Sequence, residues 1–280
     1  MIKLNISYKL LFHNLSIDSP ILKRIVSIDI NKIYNNKRTI LDTSTNIFIK
    51  FIEKHDDDTF KENIEFFFTS EIINKYFVHN HLIDYYGIIE IYKKNKDIES
   101  LGILMPIYQT LNEYLDTIIF IDSKILLSNI LGIIDLTEKI RDKYDFINID
   151  VKLDNILVKD SIFYLIDWER VYYTDQTYLC KSRPKSGNTE MYPFYDATIE
   201  EFFIHSIGVL IIRILGYKYG ITHNIMMQNL TVDYILSYIP ASYRNIYENI
   251  IIKIYFRKYH KIEELKNEIE QLLSKENKNG

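Results

Sequence analysis

Residues 145–173 read DFINIDVKLDNILVKDSIFYLIDWERVYY, and Asp150, Lys152, Asn155 and Asp167 interrupt its runs of Ile, Leu, Val and Phe. Burying charges and amides among apolar residues is costly unless they are paired or hold a ligand. Four such groups in a strand-like background therefore point to chemistry. The runs NILV and IFYLID flank Lys159, Asp160 and Ser161, a turn sequence, so the spacing predicts a hairpin. That hairpin would bring Asn155 and Asp167 together at its open end.

Working outward, residues 1–86 contain no glycine. RIVSIDI (24–30) and TNIFIKFIE (45–53) read as strands on either side of the polar NNKR. FKENIEFFFTSEIINKYFV (60–78) spaces Ile64, Phe67, Phe68, Ile72, Ile73 and Tyr76 as one helical face. HLIDYYGIIEIYKK (81–94) and SLGILMPIY (100–108) are further strand candidates. After Pro106 the pattern turns helical. Residues 125–144 place Ile130, Ile133, Ile134 and Ile140 on one side, and helices dominate from 198 to IEELKNEIEQLLSK (262–275). The tail ENKNG is expected to fray. The expected class is α+β and bilobal, with a small β-rich lobe carrying one main helix and a larger helical lobe.

Length and composition bound the rest. The chain has 280 residues, 47% hydrophobic and 26% charged, a globular balance. A net charge of -4 without a long basic cluster gives no reason to expect a nucleic-acid partner. Cys180 is the single cysteine, so an intrachain disulfide is excluded and a structural zinc site is not expected. The start MIKLNISYKLLFHNLS alternates apolar residues with Lys, His and Asn and makes a poor signal peptide. FFIHSIGVLIIRILGY (202–217) is sixteen residues long and interrupted by His205 and Arg213, which is short for a bilayer. The expectation is an intracellular, cytoplasmic protein with no membrane partner. Enrichment in Ile, Asn, Lys, Tyr and Phe fits an AT-rich genome, and the host cytoplasm would be the location if the source is viral.

Phosphoryl transfer from ATP needs a cation on the phosphates, a carboxylate near the incoming hydroxyl, and oxygen ligands for Mg²⁺. The opening stretch supplies that set. Asp150 would orient or deprotonate the hydroxyl, Lys152 would steady the phosphoryl group, and Asn155 and Asp167 would hold the metal. NIDVKLDNILV and LIDWE resemble the catalytic and metal-binding segments of the protein-kinase-like family, whose patterns are H-R-D-L-K-x-x-N and D-F-G. NIFIKFIE (46–53) is similar to the family's V-A-I-K strand, which implies Lys50 as the cation on the nucleotide phosphates. Glu71 in TSEIINKYF then fits the helix glutamate that pairs with that Lys, with Glu62 and Glu65 as substitutes in the same segment. LGILMPIYQTLNEYL (101–115) resembles the hinge, which implies that Met105 and Ile107 meet the adenine ring. GNTEMYPFYD (187–196) resembles G-T-x-x-Y-x-A-P-E, with Thr189 near the catalytic Asp, and IHSIGVLIIRILGY (204–217) resembles the central helix.

The resemblance runs from about residue 25 to 272 and implies one kinase-like domain over 1–280. Its small lobe would cover about 1–105, its hinge 105–110 and its large lobe 111–275. Implied are ATP, Mg²⁺ and transfer to Ser or Thr of a protein substrate. Several features depart from the pattern. VSIDINKIYNNKRTILD (26–42) has the place of the phosphate loop but no glycine, and Asn148 and Ile149 replace the usual His and Arg. Phe203, Phe194 and Tyr259 stand where the family has an Asp, a Glu and an Arg. Losing both halves of an ion pair together avoids a stranded charge. Asp167-Trp168-Glu169 is similar to choline and aminoglycoside kinases, although Lys152 replaces their His. A pseudokinase that binds partners and a small-molecule kinase therefore stay open beside the protein kinase.

Overall fold

The computed structural model describes residues 7–13, 39–43, 46–53, 64–75, 77–92, 98–169, 171–174, 197–219, 232–237 and 239–279. The class is mixed α+β. The chain divides into two compact units, Met1–Tyr108 and Gln109–Gly280.

The first unit comprises β1 (Ser7–His13), β2 (Thr39–Asp42), β3 (Ile47–Glu53), α1 (Ile64–Asn74), β4 (Gly87–Tyr92) and β5 (Ile98–Pro106). Its strands form one antiparallel sheet of order β1-β4-β5-β3-β2. β3 shows the two-residue alternation of a strand with one covered face: Ile47, Ile49 and Phe51 are buried, while Phe48 and Lys50 are half-exposed. β5 lies between β3 and β4 and is buried throughout Ser100–Pro106, so its sequence reads as a continuous apolar run. Gly102 is needed there. A Cβ would come within 2.9 Å of the Ile49 and Ile89 side chains, which pack over it.

Several expectations shift in this unit. RIVSIDI falls outside the described residues. β1 and β2 were not foreseen, and β2 occupies the end of the stretch matched to a phosphate loop. Thr39–Asp42 instead pairs with Ile47–Lys50 across a turn in which Asn46 takes a φ of 58°, a conformation Asn tolerates better than most residues. HLIDYY is not strand. β4 begins at Gly87, and Leu82, Ile83 and Tyr85 are buried from a loop.

The second unit comprises β6 (Gln109–Thr110), α2 (Leu111–Thr117), α3 (Ser123–Tyr144), β7 (Phe146–Asn148), β8 (Ile156–Lys159), β9 (Ile162–Leu165), β10 (Val171–Tyr173), α4 (Ile199–Gly216), α5 (Val232–Ser237), α6 (Ala241–Tyr255) and α7 (Ile262–Asn279). Two small sheets, β6-β8-β9 and β7-β10, sit among these helices. α3 starts where the Asp122 carboxylate accepts the Lys124 and Ile125 N–H groups at 2.8 and 3.1 Å. It ends where Asp145 turns left-handed at a φ of 60°. Ile130, Ile133, Ile134 and Ile140 are all buried, as their spacing predicts. α4 opens with a capping box of Thr198 and Glu201 and is buried on nearly every side, as expected for the central helix of a bundle. Gly208 lets α6 approach it. A Cβ at that position would lie 2.7 Å from Ile254. The expected fraying is corrected: α7 runs through Glu276 and Lys278 to Asn279, with a basic residue in its last turn that suits the helix dipole. Among the described residues no helix is long and apolar enough to cross a membrane.

The hairpin is present, with Asp160 and Ser161 both at positive φ (51° and 62°), the backbone of a type I′ turn. Asn129 of α3, 5% exposed, fixes it in place. Its Nδ2 donates to the Ser161 carbonyl at 2.9 Å and to the Ile125 carbonyl at 2.8 Å, and its Oδ1 accepts the Phe163 N–H at 2.7 Å. Asn129→Leu would leave those hairpin groups buried without partners, at about 1–3 kcal/mol each. Denaturant unfolding should register a loss of that size. A change within about 0.5 kcal/mol would mean the clamp carries no stability.

Candidate active site

Two arrangements bear on the expected site, one in each unit. In the first, Lys50 points from β3 toward α1, where its Nζ lies 2.9 Å from each carboxylate oxygen of Glu65. Glu71 is not the partner. It pairs with Lys75 one turn further along α1. Helical geometry explains the correction. Glu65, Phe68, Thr69 and Ile72 repeat at i, i+3, i+4 and i+7 and are all buried, whereas Glu71 lies off that stripe. A carboxylate 4% exposed beside an ammonium 19% exposed is a half-desolvated pair, so removing one partner strands the other. We expect Glu65→Gln to lower stability by about 1–3 kcal/mol and Glu71→Gln to change it by less than about 0.5 kcal/mol, read by thermal unfolding of both variants. The reverse ranking would return Glu71 to the role. Met105 and Ile107 stand at the end of β5. Met105 is buried opposite Phe48, and Ile107 is half-buried just past the strand.

In the second unit, Asp150, Lys152 and Asn155 form one hydrogen-bonded cluster. Asp150 Oδ2 accepts from Lys152 Nζ at 2.7 Å and from Asn155 Nδ2 at 2.9 Å. Asn155 Nδ2 also donates to the Asp150 carbonyl at 2.9 Å. The amide nitrogen is thus committed, and Oδ1 is the atom Asn155 can offer a cation. Asp150 is 3% exposed, and its Oδ1 accepts no hydrogen bond among the described residues. A buried carboxylate oxygen left open is costly unless a donor arrives, and a substrate hydroxyl is such a donor.

The loop carrying this cluster is pinned by Asn148, which the sequence marked only as a departure from the family's His, and by Ser206, which sequence reasoning passed over. Asn148 accepts the Asp150 N–H on its Oδ1 at 2.9 Å and donates from Nδ2 to the Asp167 carbonyl at 3.1 Å. One amide thereby joins the catalytic candidate to the metal candidate. Ser206 of α4 donates to the Ile149 carbonyl at 2.8 Å. It lies one turn beyond Phe203, which is fully buried, so a neutral hydroxyl supports the loop from the central helix. At the open end of the hairpin the Ile166 N–H donates to the Asn155 carbonyl at 2.9 Å, setting Asn155 and Asp167 close along the chain ends as the spacing predicts.

Asp167 adopts a φ of 65°, a left-handed conformation that Asp tolerates better than branched residues. Its carboxylate and that of Glu169 have oxygens within 4.8 Å of each other. Two carboxylates so close are oxygen donors of the kind a hard divalent cation selects, and the Asn155 side-chain oxygen is the further donor that the sequence expects there. Glu169 is an addition to the expected metal residues, and the Asp-aromatic-Glu pattern is the signal that marked it. Trp168, 1% exposed, packs inward between them, which matches a packing role.

Beneath the site, burial pushes His205 down to about 4, so its imidazole is neutral at neutral pH. Arg213 is likewise lowered by burial, opposed by the Asp154 carboxylate. Tyr259 donates to Glu268 at 2.6 Å. A pair of the buried Glu201 and the half-buried Arg257 at 2.9 Å, with the exposed His260 Nδ1 at 2.8 Å, was not foreseen. Burial alone would raise Glu201, but the Thr198 N–H, His260 and Arg257 together hold it below the usual carboxylate range. Thr189 and Phe194 lie outside the described residues, as do Cys180 and Glu62. Neither the protein-family models nor the curated proteins compared with this chain give a match.

Proposed function

We propose that this chain transfers the γ-phosphoryl group of ATP to a Ser or Thr hydroxyl of a protein substrate, on a bilobal protein-kinase-like fold. One observation carries the reading. The Asp150 carboxylate is oriented by Lys152 and Asn155 on one oxygen and left open on the other. That arrangement suits a base that accepts an alcohol proton as the phosphoryl group arrives, with an ammonium beside it to offset the developing charge. Mg²⁺, when bound by Asp167, Asn155 and Glu169, would neutralise the phosphate oxygens. In this reading Lys50, held by Glu65, belongs to the nucleotide phosphates.

The Asp167-Trp168-Glu169 motif favours a second reading, a small-molecule kinase of the same fold, because it resembles choline and aminoglycoside kinases. Purified protein incubated with Mg²⁺ and radiolabelled ATP separates the possibilities. Label on casein or on the chain itself supports the protein kinase, and label on small hydroxyl or amino acceptors alone supports the second reading. A Mg-ATP thermal shift without any transfer would instead describe a nucleotide-binding pseudokinase and overturn the proposal.

A further inference from the structure

The helical unit holds a half-open cavity of about 440 Å³ whose lining includes none of Asp150, Lys152, Asn155 or Asp167. Its floor is apolar, built from the buried Leu115, Ile121, Ile214 and Leu215. Its lip is the link between α2 and α3, where Ile119 and Phe120 are 83% and 72% exposed. Scattered exposed apolar residues are ordinary, but the exposed Ile119 and Phe120, continuous through Ile118 and Ile121 with a cavity's apolar floor, form a patch that marks a binding surface.

The charge at this mouth is unbalanced. Asp122, whose Oδ1 caps α3 and whose other oxygen is left for a ligand, and Glu276 line it with one cation, Lys218, which donates to the Asp116 carbonyl at 3.1 Å and sits 6.0 Å from the Tyr217 ring centre. Glu276 forms no ion pair among the described residues. Both carboxylates also act on Tyr247 of α6. Its hydroxyl is held protonated far above its ordinary range, by burial first and then by Tyr243, Glu276 and Asp122. The two acids therefore share one neighbourhood.

We infer that this cavity docks a short peptide segment of a partner protein, one that carries a large apolar side chain next to Lys or Arg. The apolar floor takes the first, and Asp122 and Glu276 take the second. A fatty acid would fit the floor but would set its carboxylate against two others, so charge complementarity favours the basic peptide. The feature is also one concave cavity rather than a broad flat face, which favours a linear segment over a folded surface. Docking here does not depend on the phosphoryl-transfer reading.

Fluorescence anisotropy with labelled synthetic peptides tests it on the full chain. The probes are a peptide with two leucines one helical turn apart flanked by arginines, the same peptide with glutamates for arginines, and the same with alanines for leucines. The first should bind saturably, and the other two at least about tenfold more weakly. Phe120→Ser and Glu276→Lys, both at accessible positions, should each weaken the first peptide by at least about tenfold with circular dichroism unchanged. Equal binding of all three peptides, no binding of the first, insensitivity to both substitutions, or displacement of the peptide by myristate but not by excess unlabelled peptide would each overturn the proposal.

Discussion

On the proposed phosphoryl-transfer reading, Asp150→Asn should lower the rate of transfer by about 100-fold or more, the scale on which acid–base assistance acts, and should leave ATP binding in place. The substitution keeps the shape of the side chain and removes its charge and one acceptor. Asn155 Nδ2 can still donate to the Asp150 backbone carbonyl, and the Asn148 bond to the residue-150 N–H is untouched, so the loop geometry persists. What is lost is the oxygen that takes a proton and the anion that draws Lys152 Nζ to 2.7 Å. Single-turnover measurements at saturating ATP separate this from a folding defect, because a damaged loop would raise KM and lower Tm together, whereas loss of the base lowers kcat alone. Full activity in the variant would remove Asp150 from the chemistry. It would leave the cluster as a structural lock on the loop.

How much of this was legible in the chain can be read from particular residues. Asp150, Lys152 and Asn155 were visible because the loop is local: positions 150 and 155 fall within one short turn, where sequence spacing nearly determines contact. The hairpin was visible for the same reason, through the apolar runs flanking Asp160 and Ser161. Glu65 was legible only as one of three glutamates. Choosing it required the phase of α1, which the apolar pattern left uncertain because Phe67, assigned to the buried face, is 44% exposed. Ser206 carried no signal of its own, and Asn148 showed only as a departure from the family's His, with no hint of its partners. Each acts by bonding a backbone group of a distant segment, and a neutral amide or hydroxyl in an apolar run looks the same whether it bonds its own helix or another element. The Asn129 clamp is hidden in the same way, since its partners at Ser161 and Phe163 lie more than thirty positions away. β1 and β2 were missed because edge strands of mixed composition lack the apolar run that marks β5.

On the same reading, Asp167→Asn should abolish the magnesium dependence of nucleotide binding, weakening Mg-ATP affinity by about 100-fold or more, beyond the 10–100-fold scale of outer supporting groups. Asn is the more informative replacement than Ala. The backbone at Asp167 sits at a φ of 65°, where Asn is tolerated, whereas Ala would add a strain of about 1–2 kcal/mol unrelated to metal binding. The Asn148 bond is made to the Asp167 backbone carbonyl, so it survives either change and the link to the Asp150 loop is retained. An amide in place of the carboxylate keeps one oxygen but removes the charge that makes the site attractive to a doubly charged ion. Glu169 is the control. It is exposed, so losing its carboxylate should weaken Mg²⁺ less than losing that of Asp167. Calorimetric titration of ATP with and without Mg²⁺ reads both variants directly. If Asp167→Asn binds Mg-ATP as the native chain does, no metal is held there, and the phosphoryl-transfer reading loses the cation it assigns to the phosphates in this unit.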